Sequence, residues 1–175
     1  RNEMREIGRS ASAPLDLADL EGLPKLDRTI KEVMRLHPPV FFIYGRAEKD
    51  FSLYAKTGTY AISTGDHLMG VIPLAHLDPD AFEDPEEFRP ERFEKPEATE
   101  RLIWPHGQHA AQISPSNHIC PGKDVAMEFG RILCYALLIG FDWELVKKPH
   151  WSDKRFSLNV ASPEGPMTVT GFTRR

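Results

Sequence analysis

The sequence predicts an α+β fold, on three observations. Leu23, Leu26, Ile30, Val33 and Met34 recur at helical spacing in "LPKLDRTIKEVMRLHPP". Short strand-like pieces then follow one another between Phe41 and Leu74. A second long helical pattern runs from Pro121 to about Ile139, ahead of a tail that alternates like β-structure.

Taken in order, residues 2–9 read as helix, and "SASAP" breaks it. The helix that holds Leu23 to Met34 stops at Pro38 and Pro39, because proline lacks the N–H and restrains the residue before it. Extended pieces follow in "FFIYGRA", in "TYAIS", and in "HLMGVIPL" after a "TGD" turn. From Asp78 to Pro121 periodicity fades. "DPDAF", "DPEEF" and "RPERF" suggest brief helical turns in a meandering loop. A connection of that length without regular structure is uncommon unless it has a task. In the second long helix Val125, Phe129, Ile132, Leu133 and Ala136 share one face. "FDWELV", "RFSLNV" and "MTVTGF" read as strands and a hairpin.

The chain has 175 residues, 41% apolar and 27% charged, which suits one soluble domain with a core. A net charge of −4 without a dense basic stripe gives no support to a nucleic-acid surface. The run "CYALLIGF" is too short to span a bilayer. Two cysteines make no disulfide framework, so a reducing, cytoplasmic setting is expected. The chain starts at Arg1 in what reads as mid-helix, and a fragment or one chain of a split protein is expected.

Glu32 and Arg35 lie three apart on the first long helix and share a face. An exposed pair would be worth tenths of a kcal/mol. On a buried face the pair needs further partners, and Arg92 in "PERF" can bridge to it and clamp the meander. Cys134, in "RILCYALL", reads as a small buried hydrophobe. His106, His109, His118 and Cys120 crowd one loop and raise a zinc site, hence a non-enzymatic, zinc-stabilised interaction domain. Their spacing matches no familiar finger, and no second cysteine lies close by.

Cys120 stands in "SPSNHICPGKDVAMEFG". Pro121 is expected at the first helical position, which puts Cys120 at or beside the N-cap. Free N–H groups and the helix dipole stabilise a thiolate there. Gly122 leaves the backbone bare where a flat ligand would need close approach. Spacing alone leaves nucleophile, metal ligand and inert thiol open, with His118 a conceivable base for the first.

Three separated motifs together resemble the cytochrome P-450 superfamily. "EVMR" (Glu32 to Arg35) resembles its E-x-x-R, "PERF" (Pro90 to Phe93) its meander motif, and "HICPGKD" (His118 to Asp124) its haem-ligand loop. Where ordinary monooxygenases carry Phe, Gly and Arg ahead of the cysteine, this chain has Ile113, Ser116 and His118. It is more similar to the allene oxide synthase and hydroperoxide lyase group, through Trp104, Gly107, Asn117, Cys120, Gly122, Lys123 and Asp124. His118, Ile119 and Pro121 depart from that group's Lys, Gln and Ala.

The resemblance implies the C-terminal part of a mainly helical P-450 fold, binding haem b (iron protoporphyrin IX) with Cys120 as catalytic thiolate and iron ligand. Asn117, His118, Pro121, Gly122 and Trp104 are then cofactor contacts, and Glu32, Arg35 and Arg92 a structural clamp. Phe41, Phe42, Ile43, Ser162 and Pro163 become candidate pocket walls, although core packing explains the phenylalanines nearly as well. The reaction implied is rearrangement, dehydration or cleavage of a fatty-acid hydroperoxide, without oxygen or a redox partner. An oxygen- and reductase-dependent monooxygenase is the competing reading. The distal helix of the family precedes the E-x-x-R helix and is not in residues 1–175. A complementary chain or N-terminal portion is therefore expected, without which the chain is inactive.

Overall fold

The computed structural model describes residues 19–20, 23–103, 120–147, 150–151 and 163–174. Helix α1 (Pro24–Leu36) opens on proline, where the missing N–H costs nothing. Asp27 sits in its first turn and Arg35 in its last, both favourable to the dipole. The amide of His37 closes the helix on the Val33 carbonyl at 2.8 Å, immediately before the two prolines.

Four extended pieces follow. β1 (Phe42–Arg46) pairs antiparallel with β4 (His67–Val71), and β2 (Phe51–Ala55) with β3 (Gly58–Ile62). The "TGD" turn docks on the end of β1. Gly65 takes φ 95°, a region that disfavours side chains. Its amide bonds the Ala47 carbonyl at 2.8 Å, and the Ala47 amide bonds the Asp66 carbonyl at 2.9 Å. Opposite Ile43, position 70 has to be glycine. A Cβ there would lie 2.7 Å from Ile43 Cγ1.

Two local expectations change. Strand β2 carries no clear sequence signal, because its residues stay exposed and it is held by its hairpin partner rather than by a core. "HLMGVIPL" is not one extended run. It turns at Val71 into a short helix α2 (Ile72–His76), because Pro73 cannot continue a ladder but suits a first helical turn.

The meander holds a 3₁₀ turn (Pro90–Glu94) and helix α3 (Pro96–Arg101). Helix α4 (Lys123–Gly140) leads directly into β5 (Phe141–Lys147), which pairs antiparallel with β8 (Thr168–Arg174). β6 (His150–Trp151) and β7 (Pro163–Glu164) form a small second ladder. No described helix is long and apolar enough to cross a membrane. The expected helix over 2–9 and the strand "RFSLNV" lie outside the described residues.

The core forms where α1 crosses α4. Leu20, Leu23, Leu26, Ile30 and Met127 are buried together, with Met34, Cys134, Tyr135, Leu138 and Ile139 against them. The crossing is close because Gly130 faces Ile30, whose Cδ1 would stand 3.1 Å from any added Cβ. The shared face of Val125, Phe129, Ile132 and Leu133 is not the one that meets α1. Val125 and Phe129 are 68% and 65% exposed, and Ile132 and Leu133 are exposed too. The helix carries two apolar stripes, and periodicity does not say which one meets α1. Arg131 fastens the crossing through two bonds to the Asp27 carboxylate, at 2.7 and 2.8 Å, and a further pair with Glu128.

Candidate cofactor site and its clamp

The other side of α1 carries charge into the interior. Glu32 and Arg35 are both fully buried. Arg35 donates Nε to Glu32 Oε2 at 2.8 Å and Nη2 to Oε1 at 2.9 Å, the bidentate fork that guanidinium geometry favours. Its remaining N–H groups reach the carbonyls of His76 (2.8 Å), Pro85 (2.6 Å) and Glu87 (3.2 Å). The Arg35 guanidinium also lies 5.1 Å from the centre of the Phe82 ring.

Arg92 completes the cluster. Its Nε meets Glu32 Oε1 at 3.1 Å, and its other nitrogens bond the carbonyls of Glu83, Asp84 and Glu87. Glu32 Oε1 also accepts the Arg89 amide at 2.8 Å. The carbonyls of Glu83, Asp84, Pro85 and Glu87 are thus met by guanidinium groups, which ties an irregular, largely exposed bend to the buried pair. It also holds Asp84 at a left-handed φ of 43°. Burial pushes the Glu32 carboxyl up, but the bonds from Arg35 and Arg89 and the charges of Arg35 and Arg92 outweigh it. The net position is below the usual glutamate value.

Cys120 lies on the opposite side of the α1 end. Pro121 is not the first helical residue as expected. Pro121 and Gly122 form a turn, closed by the Lys123 amide on the Cys120 carbonyl at 3.3 Å, and α4 is capped by Gly122. The reason is local. Gly122 adopts φ −90°, ψ 0°, a turn conformation that delays the helix to Lys123. The cysteine therefore precedes the helix by one tight turn, still close to its N-terminal end.

The Cys120 side chain borders an apolar cavity of about 220 Å³. Met34 of α1, Pro38, Pro39 and Val40 behind it, and Ile72 of α2 form one wall. Leu102, Ile103, Gly122 and Ala126 form the rest. A Cβ built on Gly122 would lie 4.0 Å from Cys120 Sγ, in ordinary contact with the sulfur, so position 122 sits directly beside it.

Glu32, Arg35 and Arg92 thus meet in one cluster, and Cys120 and Gly122 in one cavity wall. Phe41, Phe42 and Ile43 do not line that cavity. Phe41 is buried beside the cavity-lining stretch, Phe42 and Ile43 are half-buried, and the lining falls instead on the preceding Pro38 to Val40. Pro163 is in β7, paired with Trp151. Trp104, Asn117, His118 and Ser162 lie outside the described residues, as do His106 and His109 of the zinc reading. Among the described residues no group of histidine, cysteine or acidic side chains could hold a metal as a cluster. Cys134 packs against the core, and burial raises its thiol pKa.

Sequence reasoning missed His76, which is 1% exposed. Its Nδ1 stands 3.0 Å from the Arg35 carbonyl, and its Nε2 accepts the Ile103 amide at 2.9 Å. Burial, and then the Arg35 charge, lower its pKa to about 4 against the bond to the Arg35 carbonyl, which raises it. The one available signal was a histidine embedded in the apolar "VIPLAHL".

Comparison with known proteins agrees with this geometry. The cytochrome P450 family model matches residues 1–170. A divinyl ether synthase of Solanum tuberosum is 30% identical over 142 residues, 80% of this chain and 30% of the relative. An allene oxide synthase of Linum usitatissimum is 32% identical over 78% of this chain and 26% of its own length. Allene oxide synthase 2 of Oryza sativa subsp. japonica is 33% identical over 80% of this chain and 30% of the relative. The chain spans under a third of the length of these relatives. A buried glutamate shared by two arginines, and a cysteine before a long helix, thus occur in a sequence matched almost end to end: the chain belongs to the cytochrome P450 family, which implies a haem cofactor.

Proposed function

We propose that this chain is the haem-binding portion of an enzyme that rearranges, dehydrates or cleaves a fatty-acid hydroperoxide without oxygen or a reductase. The observation that carries the reading is the Cys120 thiol on the wall of an apolar cavity, beside a glycine, in a chain similar to divinyl ether and allene oxide synthases.

The residues present fit the group. A soft sulfur faces a lining of apolar side chains and prolines, and Gly122 keeps the approach to the sulfur open. Cys120 would supply the thiolate ligand from the turn just ahead of α4. Met34, Val40, Ile72, Leu102 and Ile103 would exclude water and stray reductants from the cavity. When bound, thiolate-ligated haem favours O–O bond cleavage. Glu32, Arg35 and Arg92 serve position rather than chemistry in this reading. Trp104, Asn117, His118 and Pro121 are proposed cofactor contacts, and Ser162 and Pro163 proposed substrate contacts. The residues that meet the peroxide are assigned to polypeptide beyond these 175 residues, and a cytoplasmic location is part of the same proposal.

The test uses the full-length protein. Turnover of a fatty-acid hydroperoxide with no reductase and no reduced nicotinamide cofactor supports the reading. Strict dependence on an electron donor would sink it in favour of a monooxygenase. Cys120→Ala should remove the thiolate–haem absorption while Cys134→Ala keeps it. Identical spectra for the two variants would refute the ligand assignment.

A further inference from the structure

We propose that His76 is a positioning residue for the cavity, an acid-labile key that fastens the Leu102–Ile103 wall to the end of helix α1. The inference goes beyond the proposed reaction and does not require it.

Arg35 lies in the last turn of α1, where backbone carbonyls lack an intrahelical partner. The Arg35 carbonyl finds one in His76 Nδ1 at 3.0 Å, and the ring's other nitrogen receives the Ile103 amide at 2.9 Å. A backbone amide can only donate, so Nε2 is unprotonated and Nδ1 carries the proton. The tautomer is fixed by geometry. One imidazole therefore spans from the helix that carries the clamp to the strip of chain that walls the cavity. Leu102, fully buried, and Ile103 both line that cavity, as does Ile72 at the other end of the histidine's own helix.

The surround leaves no room for a second proton. On Nε2 it would point at the Ile103 N–H, replacing a bond with an opposition of donors. From α1 the charged group acting on the ring is Arg35, whose guanidinium bonds the His76 carbonyl and is neutralised in turn by Glu32. From the meander the ring meets the edge of Phe82, with centroids 6.2 Å apart and planes at 89°. From the wall it meets the Ile103 amide. Protonation therefore favours an opened wall, where the ring reaches solvent.

The test is amide hydrogen exchange in the full-length protein, on a peptide covering residues 102–103, corrected for intrinsic rates. If the ring titrates near 6.5 when released and near 4 when held, the opening constant should rise about tenfold for each pH unit by which pH falls between those values. Amides in the α1–α4 core should not follow. His76→Gln, which keeps an acceptor within reach of Ile103 but does not titrate, should abolish the pH dependence. His76→Asn, too short to reach Ile103, should leave the wall open at every pH. A wild-type wall whose opening does not change with pH overturns the proposal without any variant, and so does an unchanged acid response in His76→Gln. Absence of any Cys120-dependent absorption from the unsubstituted protein would refute the haem reading separately, because exchange at residues 102–103 is measured whether or not that band exists.

Discussion

Replacing Glu32 by glutamine tests the clamp with almost no change in volume. The carboxylate now accepts four bonds: two from Arg35, one from Arg92 and one from the Arg89 amide. A glutamine amide has one oxygen, which can accept two of them, and its NH2 group would face a guanidinium N–H. Arg35 would keep its carbonyl partners but lose its counter-charge while fully buried, with Arg92 still beside it. Removing one member of such a pair costs about 3–5 kcal/mol. The meander amides between Glu83 and Arg92 should lose protection by that amount in hydrogen exchange on the full-length protein. The pH response should change with it. A folded-state value below the ordinary one means this stabilisation is present above the unfolded glutamate value and is lost as pH falls through the lowered one. Glu32→Gln should lack that component. A loss below about 1 kcal/mol, the size expected of an exposed pair such as Arg89 with Asp84, would refute the argument.

Other outcomes follow from the same contacts. His76, neutral and buried, should contribute about 3 kcal/mol at neutral pH, from the gap between 6.5 and about 4 at about 1.4 kcal/mol per pH unit. Because the unfolded chain takes up the proton first, that contribution erodes as pH drops from 6.5 towards 4, and denaturant titrations of His76→Gln should lack the slope. Gly130→Val should destabilise by about 1–3 kcal/mol by forcing α4 off Ile30, and adding Ile30→Ala should recover part of the loss in a double-mutant cycle. Asp27→Asn breaks a partly exposed fork with Arg131 and should cost on the order of 1 kcal/mol in thermal unfolding.

How much was legible depended on the kind of information each residue carries. Both long helices announced themselves through periodicity, the first also through its proline stop, and the "TGD" turn through its glycine. The proximity of Arg92 to Glu32 was readable because the guanidinium needs of a buried pair can be reasoned from chemistry. Which stripe of α4 faces inward was not, since that choice is settled by a glycine crossing 100 positions from its partner. The Arg131–Asp27 fork is similarly hidden, its members being 104 positions apart. His76 went unnoticed because its acceptor and donor partners are backbone atoms, which leave no trace in side-chain identity. The cavity wall moved from Phe41–Ile43 to Pro38–Val40 for a comparable reason: the strand begins only at Phe42, so the segment just after the helix borders the cavity instead.

The carbonyls gathered by Arg35 have a bearing on how the chain assembles. They belong to residues 41, 50 and 52 positions further along, in a stretch whose own regular elements are a few residues long. Such a stretch has little tendency to find its shape alone, and closing loops of that length carries an entropic cost before any contact rewards it. During synthesis α1 leaves the ribosome well before its acceptors do, exposing an ion pair that only later becomes interior. The meander would then be cast around the arginine rather than docked onto it. Slowing its closure should leave α1 formed and the later segment searching, an order of events that amide-exchange labelling during refolding can resolve.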